Sequence, residues 1–548
     1  MSSNNNKQSN FILQAGILAA AGFISRIIGL LYVSPVAAII GTVGLGYYSS
    51  AYTYYTIILL ISSYSIPSAI SKVIAQKLSV REYRNAHRIF ICSLYYVLAV
   101  GLIASLFLYF GAGLFVEASA IPVLRVFAPT IFLYGMLGVL RGYFQAHKSM
   151  VQTSVSQILE QIVNAIVSIL AAYGFVKLAQ KTMAEGGEDH TAMYGAMGSA
   201  IGTGAGVLAA LLFMAGIYAL NRELIQKRIR KDRTTQIDSY REISGVIARV
   251  VLPFILSTAA YNLSASLNNK LYTSIMIGYK KWDEVLVYND YGIFSGEATK
   301  ISNIPIAFAS AMAAAIIPTI AQLVAKKDLE GAKSKIYQAV KTIMIISIPC
   351  AVGLLVLAKP VLQLLFPREA NLDLAAGTLM ALAVSVVFYA LSTLSSSVLQ
   401  GIGRVNAPII NAVIALFIQT AVLVPLLFVT DWNVYALAIA STVYSGTMCI
   451  LNQISVHKAL GYRQEVFTTF VLPTLAAGFM GGCAWVVYEC IYMLADINIL
   501  ALIPAIGVAV AVYFALLILF KGVNEAELKA MPKGYLLVRI AKKCRIMK

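Results

Sequence analysis

Long apolar runs separated by short polar breaks fill the chain from residue 11 to residue 520. Fourteen segments can be drawn, at about 11–35, 46–71, 88–112, 121–145, 151–178, 195–220, 246–277, 297–324, 336–358, 374–399, 406–429, 432–456, 466–494 and 497–520. Each is long enough for an α-helix to cross a bilayer, which takes about 20 residues. Strands of a membrane barrel would be about ten residues long and would alternate apolar with polar positions; these runs do not. The pattern predicts an all-α polytopic membrane protein with fourteen transmembrane helices. Segments 46–71 and 246–277 exceed a bilayer's thickness and carry Pro67 and Pro253, where a bend or an end is expected.

Of the 548 residues, 59% are hydrophobic and 12% are charged, about half the charged share of a soluble protein. Mean hydropathy is +0.79. A soluble enzyme with a membrane anchor is excluded, and so is a disordered chain. The net charge of +18 would suggest nucleic acid in a soluble protein. Here it follows from topology. With the amino terminus inside, thirty Lys and Arg fall in inside loops and six in outside loops. That bias predicts both termini in the cytoplasm and leaves no need for a nucleic-acid partner. The six cysteines form no CxxC pair and the four histidines are scattered, so no metal site is expected. The polar start, residues 1–10, lacks a small-residue cleavage site and does not read as a removed signal peptide. No Walker motif occurs and the outside loops are short. No catalytic residues are therefore assigned.

The chain repeats itself. Gln145 ends segment four and Gln400 ends segment ten, 255 positions apart; Pro67 and Pro318 close segments two and eight, 251 apart. Six spans duplicated in parallel would give two six-helix lobes plus two C-terminal helices. The expected division is an N-lobe at 1–220, a cytoplasmic linker at 221–242, a C-lobe at 243–458, a helix pair at 459–520 and a basic tail at 521–548.

Charges at membrane depth are costly and face a cavity or a partner. Arg26 lies deep in the first segment, suited either to an anionic phosphate or to a structural pair. On segment five Gln157, Glu160, Gln161 and Asn164 form one polar stripe, lining a cavity or bonding a neighbouring helix; the Glu160 carboxylate could also take a proton or pair with Arg26. On segment seven Asn262, Ser264, Ser266, Asn268, Asn269 and Lys270 suggest a wet wall, or a Lys270 that snorkels outward. On segment eight Glu297, Lys300 and Asn303 share roughly one face; Glu297 and Lys300 could neutralise one another, or Lys300 could take a substrate phosphate. The tyrosines Tyr47, Tyr48, Tyr52, Tyr54 and Tyr55 read first as an interfacial belt. The small residues of 195–206 read as close helix packing.

Several motifs carry a resemblance. Ser25-Arg26-Ile27-Ile28-Gly29 resembles the SRxxG motif in the first helix of MurJ-type lipid II flippases, in the multidrug/oligosaccharidyl-lipid/polysaccharide exporter superfamily. Arg141-Gly142-Tyr143-Phe144-Gln145-Ala146, with Gln157 and Glu160-Gln161, resembles the Gram-positive polysaccharide biosynthesis and stage V sporulation protein B branch. Tyr32-Val33 stand where Gram-negative members carry an Arg-Asp pair, and Lys300 stands five before Pro305 where the family has a basic residue. The resemblance covers the whole chain. It implies alternating access in the bacterial cytoplasmic membrane, with an undecaprenyl-pyrophosphate-linked precursor, lipid II first, as substrate. Arg26, Lys300 and Lys270 would hold the phosphates, with Glu297, Asn303, Glu160, Gln157 and Asn164 lining the path. It also implies a groove for the polyprenyl tail on segments thirteen and fourteen. Membrane potential or a cation gradient (Na+ or H+) would supply energy, membrane lipids would surround the chain, and cell-wall synthesis machinery is a candidate partner. The alternatives are another polysaccharide repeat unit, a cation-coupled drug exporter, a membrane glycosyltransferase and a scaffold. The glycosyltransferase needs acidic residues in a sizeable loop, and the scaffold needs no deep charges.

Overall fold

A computed structural model describes residues 21–22, 24–64, 66–147, 149–232, 237–520, 522–523 and 539. The first half of segment one, part of the linker and nearly all of the basic tail lie outside the described residues, as do the side chains of 246–262. The chain divides into two compact units, Met1–Gly292 and Ile293–Lys548.

In the first unit, α1 (Ile24–Leu31) meets α2 (Val33–Leu59) at a 44° bend. Within α2, Gly41 takes φ +69°, a left-handed conformation that glycine reaches without steric cost. The first segment therefore ends at Ile40 and the second begins at Thr42. The second continues through a π-helical turn at residues 60–64 into α3 (Ile66–Ser79). Next come α4 (Tyr83–Phe110), the single turn α5 (Ala112–Phe115), α6 (Ile121–Ala146), α7 (Met150–Ala184) and α8 (Thr191–Leu220). The amphipathic α9 (Arg222–Arg230) follows. Ser239 then opens α10 (Tyr240–Thr273) with a capping box to Glu242, satisfying backbone donors that a helix start leaves free. A π-helical turn at 274–279 and α11 (Glu284–Tyr291) close the unit.

Helices α7 and α8 pair along much of their length. A Cβ on Gly202 would lie 2.1 Å from Ser168 Oγ, so the small residues of 195–206 let the backbones approach. One apolar cluster joins α3, α4, α6 and α8 through Ile74, Phe90, Leu137 and Met214; another joins α2, α6 and α8 through Tyr55, Phe127 and Ala200.

In the second unit a π-helical turn at 292–298 leads into α12 (Thr299–Ala325). It is followed by α13 (Leu329–Val356), α14 (Ala358–Leu365), α15 (Leu372–Gly401), α16 (Asn406–Val429) and α17 (Val434–Leu460). A last pair, α18 (Leu472–Ala495) and α19 (Asn498–Leu519), packs on α13 and α14. One apolar core holds this unit together, including Ile316, Met344, Leu394, Met480 and Leu502.

The repeated sequence features occupy matching places in each unit. A Cβ on Gly142 of α6 would lie 2.8 Å from the Pro67 carbonyl of α3, and one on Gly401 of α15 would lie 3.1 Å from the Ile317 carbonyl of α12. In both, the helix ending in Gln rests on the proline-bearing helix.

The described residues are helical throughout their regular structure, without strands. Ten helices are long and apolar enough to span a membrane, or eleven with the bent α1–α2 pair. The count of fourteen is not confirmed. Helices α10 and α12, at segments seven and eight, are outside the ten, which were counted among the described residues.

Candidate functional site

The polar stripe of α7 splits between several partners. Glu160 accepts from Arg141 Nη2 of α6 at 2.8 Å, and Arg141 Nε donates to Ser156 Oγ at 2.9 Å. Arg141 is 4% exposed. Of the two alternatives open for Glu160, a proton or Arg26, neither is the partner seen: the hairpin of α6 and α7 supplies the cation from Arg141. Asn164 Nδ2 donates to Tyr32 Oη at 3.4 Å, and Asn164 Oδ1 accepts from Ser168 Oγ at 2.9 Å. A Cβ on Gly29 would lie 3.6 Å from Gln161 Oε1, so α1 runs against this stripe. Gln157 Oε1 is buried without a partner.

Arg26 lies one turn before Gly29 and is exposed. Among the described residues it has neither an ion pair nor a hydrogen bond. Its neighbour Ser25 has a buried hydroxyl without a partner. Together they leave a guanidinium, a hydroxyl and an amide oxygen on adjoining elements of the first unit without partners among the described residues.

Lys270 stands 4.0 Å from Glu117, which lies in the connection between α5 and α6. Both side chains are substantially exposed, so this contact is worth little by itself. The polar side of α10 is packed against α2. Asn269 Oδ1 accepts from Ser50 Oγ at 3.2 Å and from Tyr54 Oη at 3.4 Å. The tyrosines of α2 are likewise a core and not a belt. Tyr48, Tyr54 and Tyr55 are buried, and Tyr55 stacks on Phe127 with centroids 4.9 Å apart. Tyr48 meets Thr203 and Tyr54 meets the Ser266 carbonyl through their hydroxyls. Burial of a tyrosine is tolerated when its hydroxyl finds such a partner.

In the second unit Glu297 is 1% exposed. Its carboxyl faces that of Glu369, in the loop after α14, and one oxygen of each is buried without a hydrogen-bond partner. Lys300 is half-buried and Asn303 is exposed. Burial thus falls from Glu297 to Asn303, and Glu297 belongs to a π-helical turn while the α-helical register starts at Thr299. The sequence reading missed Arg141 and Glu369. Arg141 was signalled by lying about as far before the hairpin turn as Ser156 lies after it; Glu369 left no such signal.

The fold is that of solved transporters. The chain matches a lipid II flippase MurJ in an inward closed conformation with a TM-score of 0.65, at 15% identity, over 92% of this chain and 98% of that one. It matches an inward-facing multidrug resistance MATE family transporter of the MOP superfamily with a TM-score of 0.59, at 19% identity, over 81% and 94%. These define a polytopic helical membrane protein with the MOP transporter fold.

Within that class the chain belongs to the lipid II flippase MurJ family, whose model matches residues 83–504. It is 25% identical to the lipid II flippase MurJ of Bacillus subtilis (strain 168) over 84% of this chain and 85% of that protein. It is 23% identical to the stage V sporulation protein B of the same organism over 97% and 100%.

Proposed function

We propose that the chain is a flippase of the bacterial cytoplasmic membrane. It moves an undecaprenyl-pyrophosphate-linked cell-wall precursor, lipid II first, from the inner to the outer leaflet by alternating access. Family membership supports the substrate class. The observation carrying the site is Arg26: a cation on α1, without a protein partner among the described residues, beside the polar stripe of α7. A guanidinium offers two parallel donors to a phosphate oxygen pair. In the second unit Lys300 is the cation assigned to the substrate, and the Glu297 carboxyl beside it on the chain faces Glu369. Gln157 and Asn164 line the path in the first unit, Asn303 in the second, and Lys270 is the remaining phosphate contact. Glu160 acts here through Arg141. Both termini lie in the cytoplasm, as the loop charges indicate, and membrane potential or a Na+ or H+ gradient drives the cycle.

The deciding experiment is complementation of a strain depleted of its lipid II flippase, with precursor exposure measured on intact cells. Restored growth with restored exposure supports the reading. A well-expressed chain that restores neither assigns it to another lipid-linked glycan.

A further inference from the structure

A cavity of about 180 Å³ lies in the first unit between α9, the start of α4 and the turn joining α6 to α7. Its polar walls include Tyr83, His87, Tyr143, His147, Gln152 and Arg228. Among the described residues its lining includes neither Asp nor Glu, so no carboxylate there opposes an anion, and Arg228 and two histidines are present to favour one.

His147 shows what such a wall lacks. Its Nδ1 lies 2.9 Å from the Tyr143 carbonyl. A carbonyl only accepts, so Nδ1 carries the hydrogen and the neutral ring leaves a bare lone pair at Nε2. The ring packs on Tyr143 with centroids 4.4 Å apart. Burial holds the imidazole below its usual range; the Tyr143 carbonyl opposes this and the Arg228 charge adds to it. His87 Nδ1, on α4, is buried without a partner. The groups facing His147 are thus Arg228 from α9, Tyr143 from α6 and Tyr83 and His87 from α4, with uncharged Gln152 from α7 and Tyr218 of α8 against Tyr143 at 5.7 Å. An anion among them would relieve the repulsion between Arg228 and His147, and it would give Nε2 a reason to take up a proton.

We propose that this cavity binds a phosphate group, held by Arg228 and by His147 in its protonated form, with His87 as a further contact. A tetrahedral oxyanion has oxygens enough for donors arriving from three elements, and the arginine fork suits it. The apolar side of α9, with Ile225 and Ile229 lining the cavity, suits the glycerol and acyl part of an anionic phospholipid. A free phosphate ester offers the same chemistry without that part. Because the bound state holds one more proton, affinity rises as pH falls.

The test uses the purified full chain. Dimethyl phosphate, whose charge is fixed between pH 6 and 8, is titrated calorimetrically. In parallel, the chain is melted in nanodiscs of phosphatidylcholine with or without phosphatidylglycerol. Binding is expected at pH 6, weakening by up to about tenfold per pH unit toward pH 8. Arg228→Gln, at an exposed position, and His147→Gln should each weaken it about tenfold to a hundredfold, with the melting temperature in phosphatidylcholine alone unchanged for Arg228→Gln. Heat from dimethyl phosphate without a phosphatidylglycerol effect assigns a free ester; a lipid effect alone assigns a headgroup. Binding of neither probe, equal binding by Arg228→Gln and wild type, or binding indifferent to pH overturns the proposal.

Discussion

Arg141 and Glu160 form an ion pair of 2.8 Å whose side chains are only 5% and 14% exposed. The pair joins α6 to α7, and Ser156 completes the donor set of Arg141. Removing one partner from such a pair leaves an uncompensated buried charge, at a cost of about 3–5 kcal/mol. Arg141→Ala should therefore sharply lower the melting temperature and yield in detergent. Glu160→Gln keeps an acceptor and should lose less. An Arg141→Ala protein that melts with the wild type would show that the pair does not hold the hairpin.

Segments 42–46 and 288–292 of the first unit touch backbone to backbone. A Cβ on Gly46 would lie 1.8 Å from the Tyr288 carbonyl oxygen, and one on Gly292 would lie 2.1 Å from that of Thr42. The neighbouring atoms are main chain and cannot swing aside. Gly46→Ala should force α2 and α11 apart and destabilise by about 1–3 kcal/mol, the usual cost of overpacking. Because Tyr47 packs on Tyr288 at 4.7 Å, the loss should also appear as altered tyrosine fluorescence. Unchanged stability and fluorescence in Gly46→Ala would show that the contact is loose.

A charge cluster ties the start of α10 to the α3–α4 turn. Lys77 lies 2.9 Å from Glu82 and 2.6 Å from Asp238, while Glu82 also accepts from Asn85 at 2.8 Å. Bonds from Asn85 and Lys77 hold the Glu82 carboxyl below its usual range. Lys77 is held above its own, against its partial burial, by Asp238 and Glu82. A depressed carboxylate stabilises the fold above its unfolded value and loses that contribution as pH falls; a raised lysine loses its contribution only in strong alkali. Amide protection around Ser239–Glu242 should be full near pH 7 and fall below about pH 4.5. Lys77→Ala should lower it at pH 7 by a few tenths of a kcal/mol to about 1 kcal/mol, as expected of half-exposed pairs. Protection that stays flat from pH 7 to pH 3 would remove the cluster's role.

Helices were legible because an apolar run of spanning length has few alternatives to helix. The turn at Gly41 falls inside the gap between the first two segments. Side-chain partners were less legible. The α7 stripe is visible as periodicity, but periodicity names a face and not what meets it. Arg141 looked like a loop residue, since it lies near the end of an apolar run; only its position, close to the mirror of Ser156 across the hairpin turn, points to the α7 stripe. The α2 tyrosines were misread for a similar reason. Aromatic clusters near a segment's start suit an interface, and only the packing of Phe127 and Tyr288 shows them to be core. Glu369 sits in a loop, where sequence gives no register at all.

The last prediction sets Arg26 against Arg141. Both are arginines in apolar segments, yet Arg141 is enclosed by partners and Arg26 is exposed without any among the described residues. A pyrophosphate crossing a low-dielectric region needs an opposing charge, and of these two arginines Arg26 is the one without a partner among the described residues. Arg26→Ala should leave the melting temperature nearly unchanged, as exposed substitutions usually shift stability by about 0.5 kcal/mol or less. It should still weaken substrate binding about tenfold to a hundredfold, the cost of one charge-assisted bond. Arg26→Lys should keep part of the activity, since charge remains and the bidentate geometry is lost. Lipid II exposure on intact cells, measured beside detergent-extracted yield, separates the two effects. Normal export by a well-folded Arg26→Ala protein would end the assignment of Arg26 to the substrate; poor yield of both variants would make Arg26 a structural residue like Arg141.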